Sequence, residues 1–249
     1  MSTKHDFIQH SPETGTDYHI FVVAPDAKRE PGPWPAVLFM DGDDQFKPAV
    51  AAYRAARQAG EVPPLLLVGV GYGASYRSPA NRRARDYTAT PLATEADSGG
   101  ADRFLAFLTA TLVPELARRH PLRAGACGLA GHSLGSLVAL HALFQPRPAF
   151  NRFLASAPAL WWDDRAMLCA AQQLQRTGVF LPAKLFLCVG VDDTPSMTGD
   201  LELLEEQLVA LPFPGLEVTS RKFSQRDHYN VLPDAFRSGL GFLFGPAET

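Results

Sequence analysis

Residues 124–136 read Ala-Gly-Ala-Cys-Gly-Leu-Ala-Gly-His-Ser-Leu-Gly-Ser. An apolar run, 124–130, leads into Gly131-His132-Ser133-Leu134-Gly135. A second apolar stretch follows, with Leu137, Val138, Leu140, Ala142 and Leu143. Strand, sharp turn and helix in that order are the setting of a Gly-x-Ser-x-Gly nucleophile elbow. Such a turn forces Ser133 into a strained backbone region, and Gly131 and Gly135 let neighbouring backbone pass within contact distance. Ser133 Oγ then stands exposed beside the N–H groups of a helix start. The plain alternative is a glycine-rich strand-to-helix turn without chemistry.

Outward from the elbow, apolar patterning predicts an alternation of strands and helices. Two short strands at 6–11 and 17–23 are joined by the turn sequence Pro12-Glu13-Thr14-Gly15. A proline-rich loop precedes a compact strand at 36–40. A helix is expected at 47–58, with Pro48 tolerated in its first turn, then a continuous apolar strand at 65–70. A helix at 101–119 should be kinked or divided by Pro114. Beyond the elbow come strands at 153–157, 183–189 and 217–223 and helices at 164–177, 200–210 and 233–244. This order defines an α/β domain with a mostly parallel central sheet, helices on both faces and an antiparallel N-terminal edge. No repeat or boundary divides the chain, so 1–249 is expected to be a single domain. Residues 71–100 break the rhythm. A connection that long after a strand belongs at the carboxyl edge of the sheet, where α/β sites are built.

Composition narrows the function. Hydrophobic residues are 46% and charged residues 20% of the 249, and the net charge is −3. That balance argues against a general nucleic-acid binder and against a polybasic membrane surface. The start, Met-Ser-Thr-Lys-His-Asp-Phe, lacks the apolar stretch of a signal peptide, and no apolar run reaches a membrane span. Cys127, Cys169 and Cys188 read as reduced core thiols, which gives an expectation of a cytoplasmic protein. No Cys or His pair has ligand spacing, so no metal and no cofactor are expected.

A serine hydroxyl needs a base to take its proton. In an elbow protein the chain order is Ser, acid, His. Of seven histidines, His5, His10, His19, His120 and His132 precede Ser133, and His141 lies along the helix after it. His228 remains, in the turn between the last strand and the last helix. The strand at 183–189 runs into Gly190-Val191-Asp192-Asp193, where a carboxylate would reach the histidine Nδ1–H. Asp193 is favoured over Asp192, and a Ser–His dyad is the alternative. For the oxyanion hole, one donor is expected from the Leu134 N–H and the second from Asp43 or Asp44, in the loop Asp41-Gly42-Asp43-Asp44.

These residues together resemble the esterase D-like family of α/β-hydrolases, and more narrowly its short branch related to siderophore trilactone hydrolases. The resemblance runs along most of the chain. It is carried by Met40-Asp41-Gly42, Arg85-Asp86-Tyr87-Thr88, Gly99-Gly100-Ala101, the elbow, Ala157-Pro158-Ala159-Leu160-Trp161-Trp162 and His228-Tyr229-Asn230. It departs at Ser136, where relatives often carry glycine, and at the acid, where they often carry Gly-Glu-x-Glu. The resemblance implies an α/β-hydrolase fold and hydrolysis of a small-molecule carboxylic ester through an acyl-serine. The family also holds thioesterases of the S-formylglutathione type and acyltransferases. A binding module that has lost catalysis is a third reading, which the presence of both Ser133 and His228 opposes.

The matched segments put Arg85, Tyr87, His132, Trp161 and Trp162 at the substrate. Arg77, Arg82, Arg83 and Arg85 cluster in the long loop, and guanidinium groups suit anionic or catechol-rich esters. The alternative is a solvated loop, half-buried tryptophans and an Arg85–Asp86 pair that holds the loop in place.

Overall fold

Along the third strand, side chains alternate between two separate cores: Ala36, Leu38 and Met40 face one, Val37 and Phe39 the other. Period two with apolar residues on both sides means a strand covered on both faces. The structure, a computed structural model, describes residues 3–246; the remaining residues of the expected 1–249 domain lie outside the described residues. Eight strands form one sheet: β1 (Thr3–Ser11), β2 (Thr16–Ala24), β3 (Trp34–Phe39), β4 (Leu66–Gly71), β5 (Leu122–His132), β6 (Arg152–Ser156), β7 (Ala183–Gly190) and β8 (Leu216–Phe223). Their order is β1-β2-β4-β3-β5-β6-β7-β8. β1 and β2 run antiparallel, and every pair from β4 to β8 is parallel.

Helices α1 (Gly42–Gln58) and α8 (Leu232–Phe244) cover one face, packing Phe46, Ala49, Phe236 and Leu240 against Phe39, Leu154 and Phe186. The other face is covered by α3 (Ala101–Ala106), α5 (Leu134–Leu143), α6 (Ala166–Gln175) and α7 (Pro195–Ala210). α5 is apolar nearly all round because it is buried nearly all round, from Leu134 to Leu143. Among the described residues, no helix is long and apolar enough to cross a membrane, and no group of three or more His, Cys, Asp or Glu is arranged to hold a metal ion.

Three expectations are corrected. α1 begins five residues early, at Gly42, because Asp41 turns through a left-handed conformation (φ 54°) and its carbonyl accepts the N–H groups of Asp44 and Gln45. Pro48 therefore lies inside the helix, not in its first turn. α7 also begins early, at Pro195: Thr194 caps it by accepting the Met197 N–H, and proline is preorganised for the first helical position. The thiols are not all core: Cys188 is buried, Cys127 half-buried and Cys169 exposed, and all three are free.

Pro114 divides its helix as expected. A π-helical stretch, Phe107–Leu112, separates α3 from α4 (Val113–Arg119). The wider turn relieves the clash between a proline ring and the carbonyl four residues earlier. The long connection at 71–100 holds one short helix, α2 (Arg83–Tyr87).

Candidate active site

Ser133 sits between β5 and α5 with φ 56° and ψ −124°, a region that non-glycine residues avoid. The strain is held by backbone bonds on both sides. Its N–H donates to the Ser156 carbonyl at 2.9 Å, and its own carbonyl accepts from Ser136 at 3.1 Å and Ala159 at 3.3 Å. Gly131 is obligatory here, since a Cβ on it would lie 2.1 Å from the Gly135 carbonyl oxygen. Ser136, where relatives often carry glycine, is fully buried, and its hydroxyl donates to the carbonyls of Gly131 (2.9 Å) and Ser156 (2.8 Å). The hydroxyl thereby ties the elbow to β6.

Ser133 and His228 line one cavity of about 350 Å3 at the carboxyl edge of the sheet. His228 is carried by a turn after β8 in which the Asp227 carboxylate accepts the N–H groups of Tyr229 (2.8 Å) and Asn230 (2.9 Å). Gly190 lets that turn approach the end of β7: a Cβ there would lie 2.1 Å from the Arg226 carbonyl. The approach brings His228 Nδ1 to 2.8 Å from Asp193 Oδ2. The Asp193 side chain is wholly buried, and its Oδ1 accepts the Thr194 N–H at 2.7 Å. Asp192, the other carboxylate weighed, is exposed. His141 lies elsewhere, 2.8 Å from Asp102.

The three aspartates at the start of α1 face the long loop, and each takes hold of it. Asp41 accepts a bidentate pair from Arg83 (2.8 and 2.9 Å). Its N–H donates to the Tyr87 hydroxyl at 2.9 Å. Asp43 Oδ2 accepts the Tyr72 N–H at 2.6 Å, and Asp44 accepts from Ser75 Oγ (2.7 Å) and the Tyr76 N–H (2.8 Å). Burial raises the Asp41 carboxyl above the ordinary carboxylate range, and the Arg83 guanidinium opposes that shift. Of the two amides weighed as second oxyanion donor, that of Asp44 donates to the Asp41 carbonyl at 3.0 Å. Asp43 is not among the cavity-lining residues, whereas Asp44 is.

The expected substrate contacts divide. His132 lines the cavity, with its ring 4.6 Å from that of His228. Burial, helped by the neighbouring His228 and Arg83 charges, pushes its pKa down to about 3. Four others are corrected. Arg85 does not line the cavity: it pairs with the fully buried Asp86 at 2.7 Å and donates to Thr16 Oγ1. Tyr87 is 0% exposed and belongs to the core. Trp162 is buried and donates through Nε1 to the Thr90 carbonyl at 3.1 Å, lining a separate small crevice. Trp161 is half-exposed beside it and does not line the cavity. Of the loop arginines, Arg82 pairs with Asp97 at 2.6 Å, Arg77 lies over Tyr76, and Arg83 lines the cavity between the rings of Tyr76 and Tyr87. Sequence reasoning missed Gln45, Tyr76, Tyr229 and Leu232 in the lining. The helical start at Gly42 would have found Gln45, and the segment His228-Tyr229-Asn230 already contained Tyr229.

A doubly covered parallel sheet with its serine on a strained strand–helix elbow, and a His–Asp pair from the last two strand ends in the same cavity, is an α/β-hydrolase. The chain belongs to the Putative esterase family, whose profile matches residues 11–194. It is 26% identical to the ferri-bacillibactin esterase BesA of Bacillus subtilis over 92% of this chain and 85% of that protein. It is 34% identical to the siderophore triacetylfusarinine C esterase of Aspergillus fumigatus over 59% of this chain and 51% of that one. Among solved structures it resembles the BES protein from Bacillus cereus, with a TM-score of 0.86 and 26% identity over 99% of this chain and 96% of that one. The siderophore hydrolase EstB from Aspergillus nidulans shares the fold, with a TM-score of 0.83 at 22% identity over 99% and 95%.

Proposed function

We propose that this protein is a serine esterase that hydrolyses siderophore esters. The observation that carries the mechanism is the buried Asp193 carboxylate on His228 Nδ1, in the cavity that holds Ser133. Asp193 fixes the tautomer, leaving Nε2 to take the Ser133 proton as Oγ bonds to the ester carbon. The oxyanion is met by the Leu134 N–H, the amide that follows the nucleophile. His228 returns the proton to the departing alcohol. Water, deprotonated by the same imidazole, then frees the acid and restores the serine.

The substrate class is supported by the siderophore esterases the chain resembles and by the cavity itself. Arg83 supplies a fixed positive charge, and Tyr76 and Tyr229 supply exposed aromatic faces. Together they suit a substrate with anionic or catechol-like rings. Three free thiols fit a reducing compartment such as the cytoplasm.

Ser133→Ala tests the reading. It should abolish p-nitrophenyl acetate hydrolysis and fluorophosphonate labelling, since losing a triad nucleophile costs roughly 10⁴- to 10⁶-fold in kcat. A variant keeping a tenth of wild-type activity refutes the mechanism. For the substrate, mass spectrometry of a cyclic triester siderophore incubated with the wild type should show linear and monomeric acids. Turnover of simple esters alone would remove the siderophore assignment.

A further inference from the structure

β8 ends the order of the sheet, so one of its two edges has no neighbouring strand. Its register with β7 runs unbroken from Leu216 to Phe223. The Val191 N–H donates to the Phe223 carbonyl at 2.9 Å, which turns the backbone of Phe223 toward β7. Alternate residues of a strand turn their backbone groups to the same side, so Glu217, Thr219 and Arg221 also bond β7. Val218, Ser220 and Lys222 therefore point N–H and C=O outward. The faces are bare as well. α7 packs on β7, α8 on β6 and β7, and Glu217, Val218, Ser220, Arg221 and Lys222 are all exposed.

A long, regular edge is adhesive, and chains that stay single blunt it with proline, a bulge or charge. β8 has neither proline nor bulge. Two of its charges are tied to its own fold: Lys222 pairs with Glu202 on α7 at 2.6 Å and Glu217 with Lys184 on β7 at 3.1 Å. Arg221 is the third, and it has no partner among the described residues.

The order of these charges says what covers the edge. When two copies of one strand pair antiparallel about a two-fold axis, facing residues must share a side of the sheet. The axis therefore lies where a residue meets its own copy, never between two positions. Centred on Glu217 or Arg221, the pairing sets like charges face to face. Centred on Val218 or Ser220, it sets both opposite neutral residues. Centred on Thr219, it sets Glu217 opposite Arg221 of the second copy, and Arg221 opposite Glu217 of the second copy. That register also lets Val218 exchange N–H···O bonds with Ser220 of the second copy and brings the Lys222 N–H to the Leu216 carbonyl of the second copy. The charged pairs then occupy the non-hydrogen-bonded positions, where side chains approach most closely.

We propose that the free edge of β8 is a homodimer interface, in which two copies pair this strand antiparallel about Thr219 into one continuous sheet. Phe180, 65% exposed beside Gly215 at the start of the strand, and Val218, 41% exposed on it, supply apolar contact along the border.

Sedimentation equilibrium of the full chain tests this. The wild type should sediment as a dimer of the 27.0 kDa chain at concentrations on the order of 100 μM. Glu217→Arg and Arg221→Glu each turn two attractive pairs into two repulsive ones, and each should raise the dimer Kd at least about tenfold. The combined Glu217→Arg, Arg221→Glu variant restores both pairs in reverse and should return to within about threefold of the wild type. A monomeric wild type overturns the proposal. So does a dimer indifferent to the single reversals, and so does a double reversal as weak as the singles. Should the variants fail to fold, amide hydrogen exchange on the wild type decides. The N–H groups of Val218, Ser220 and Lys222 should exchange at least about tenfold faster after dilution to the monomer, and exchange independent of concentration overturns the interface.

Discussion

His228 Nδ1 lies 2.8 Å from Asp193 Oδ2, and the Asp193 side chain is completely shielded from solvent, whereas its neighbour Asp192 is exposed. Two adjacent carboxylates thus differ in one decisive respect. Asp193→Asn should lower kcat by roughly 10²- to 10⁴-fold through loss of the correct tautomer, while Asp192→Asn should change it less than about twofold. Steady-state kinetics on p-nitrophenyl acetate decides this. Equal and mild effects from both would favour a Ser–His dyad.

The loop arginines should separate into distinct behaviours. Arg83→Ala removes the guanidinium that lines the cavity, so it should raise KM for an anionic catechol-type triester while sparing kcat on p-nitrophenyl acetate. A lost charge-assisted contact costs about 1.5–3 kcal/mol, roughly 10- to 150-fold in kcat/KM. Arg82→Ala, in a half-exposed pair with Asp97, should change neither substrate. Arg85→Ala leaves the buried Asp86 uncompensated and should lower Tm without changing kcat/KM of the folded enzyme. A selective KM effect at Arg82 or Arg85 instead of Arg83 would contradict the cavity lining.

His132 makes a prediction about pH. Its pKa falls from 6.5 to about 3 on folding, chiefly through burial. The unfolded chain therefore binds the proton first. The contribution of neutral His132 is fully present above pH 6.5 and declines as pH falls toward 3, by about 1.4 kcal/mol per unit. In urea titrations, the stability difference between wild type and His132→Gln should narrow between pH 6.5 and 4.5. A constant gap would mean that His132 titrates normally.

Two glycines offer a contrast in backbone design. Gly131→Ala drives a Cβ to 2.1 Å from the Gly135 carbonyl and should cost about 3 kcal/mol or more, lowering Tm by roughly 6–12 °C. Gly199, inside α7 with open space where its Cβ would stand, should tolerate alanine and gain about 0.5–1 kcal/mol. Thermal unfolding of the two variants checks both signs.

Much of this was legible in the chain because the informative residues obey local rules. The elbow has a two-glycine frame around Ser133. The histidine that shares the Ser133 cavity is the one left after the last strand, and the alternation of strands and helices implies the layers. What escaped was long-range. The Arg85–Asp86 pair is between neighbours and was open to the sequence as the alternative reading, but nothing adjacent to Tyr87 says that its hydroxyl will meet the Asp41 N–H in the core. Gln45 and Tyr76 are thirty-one residues apart in sequence and share a wall only because Asp44 grips the 75–76 segment. Trp161-Trp162 reads as one motif, yet one ring is half-exposed and the other buried over Thr90. Local pattern fixes element type; partners for charged side chains are fixed by the completed sheet.

The Asp41, Asp43 and Asp44 attachments have a further consequence for engineering. The roof of the cavity is fastened to the scaffold at its near end by three carboxylates within four residues, and its grips on Tyr72 and Tyr76 fall on backbone N–H groups. Backbone amides are supplied by any residue but proline. A foreign segment grafted over 73–82 would therefore need to preserve spacing and the side-chain bonds of Ser75 and Asn81, while Tyr72, Arg83 and the aspartates stay as the anchor. Exchange of that short stretch is the route by which new ester preferences can be installed without rebuilding the serine machinery beneath it.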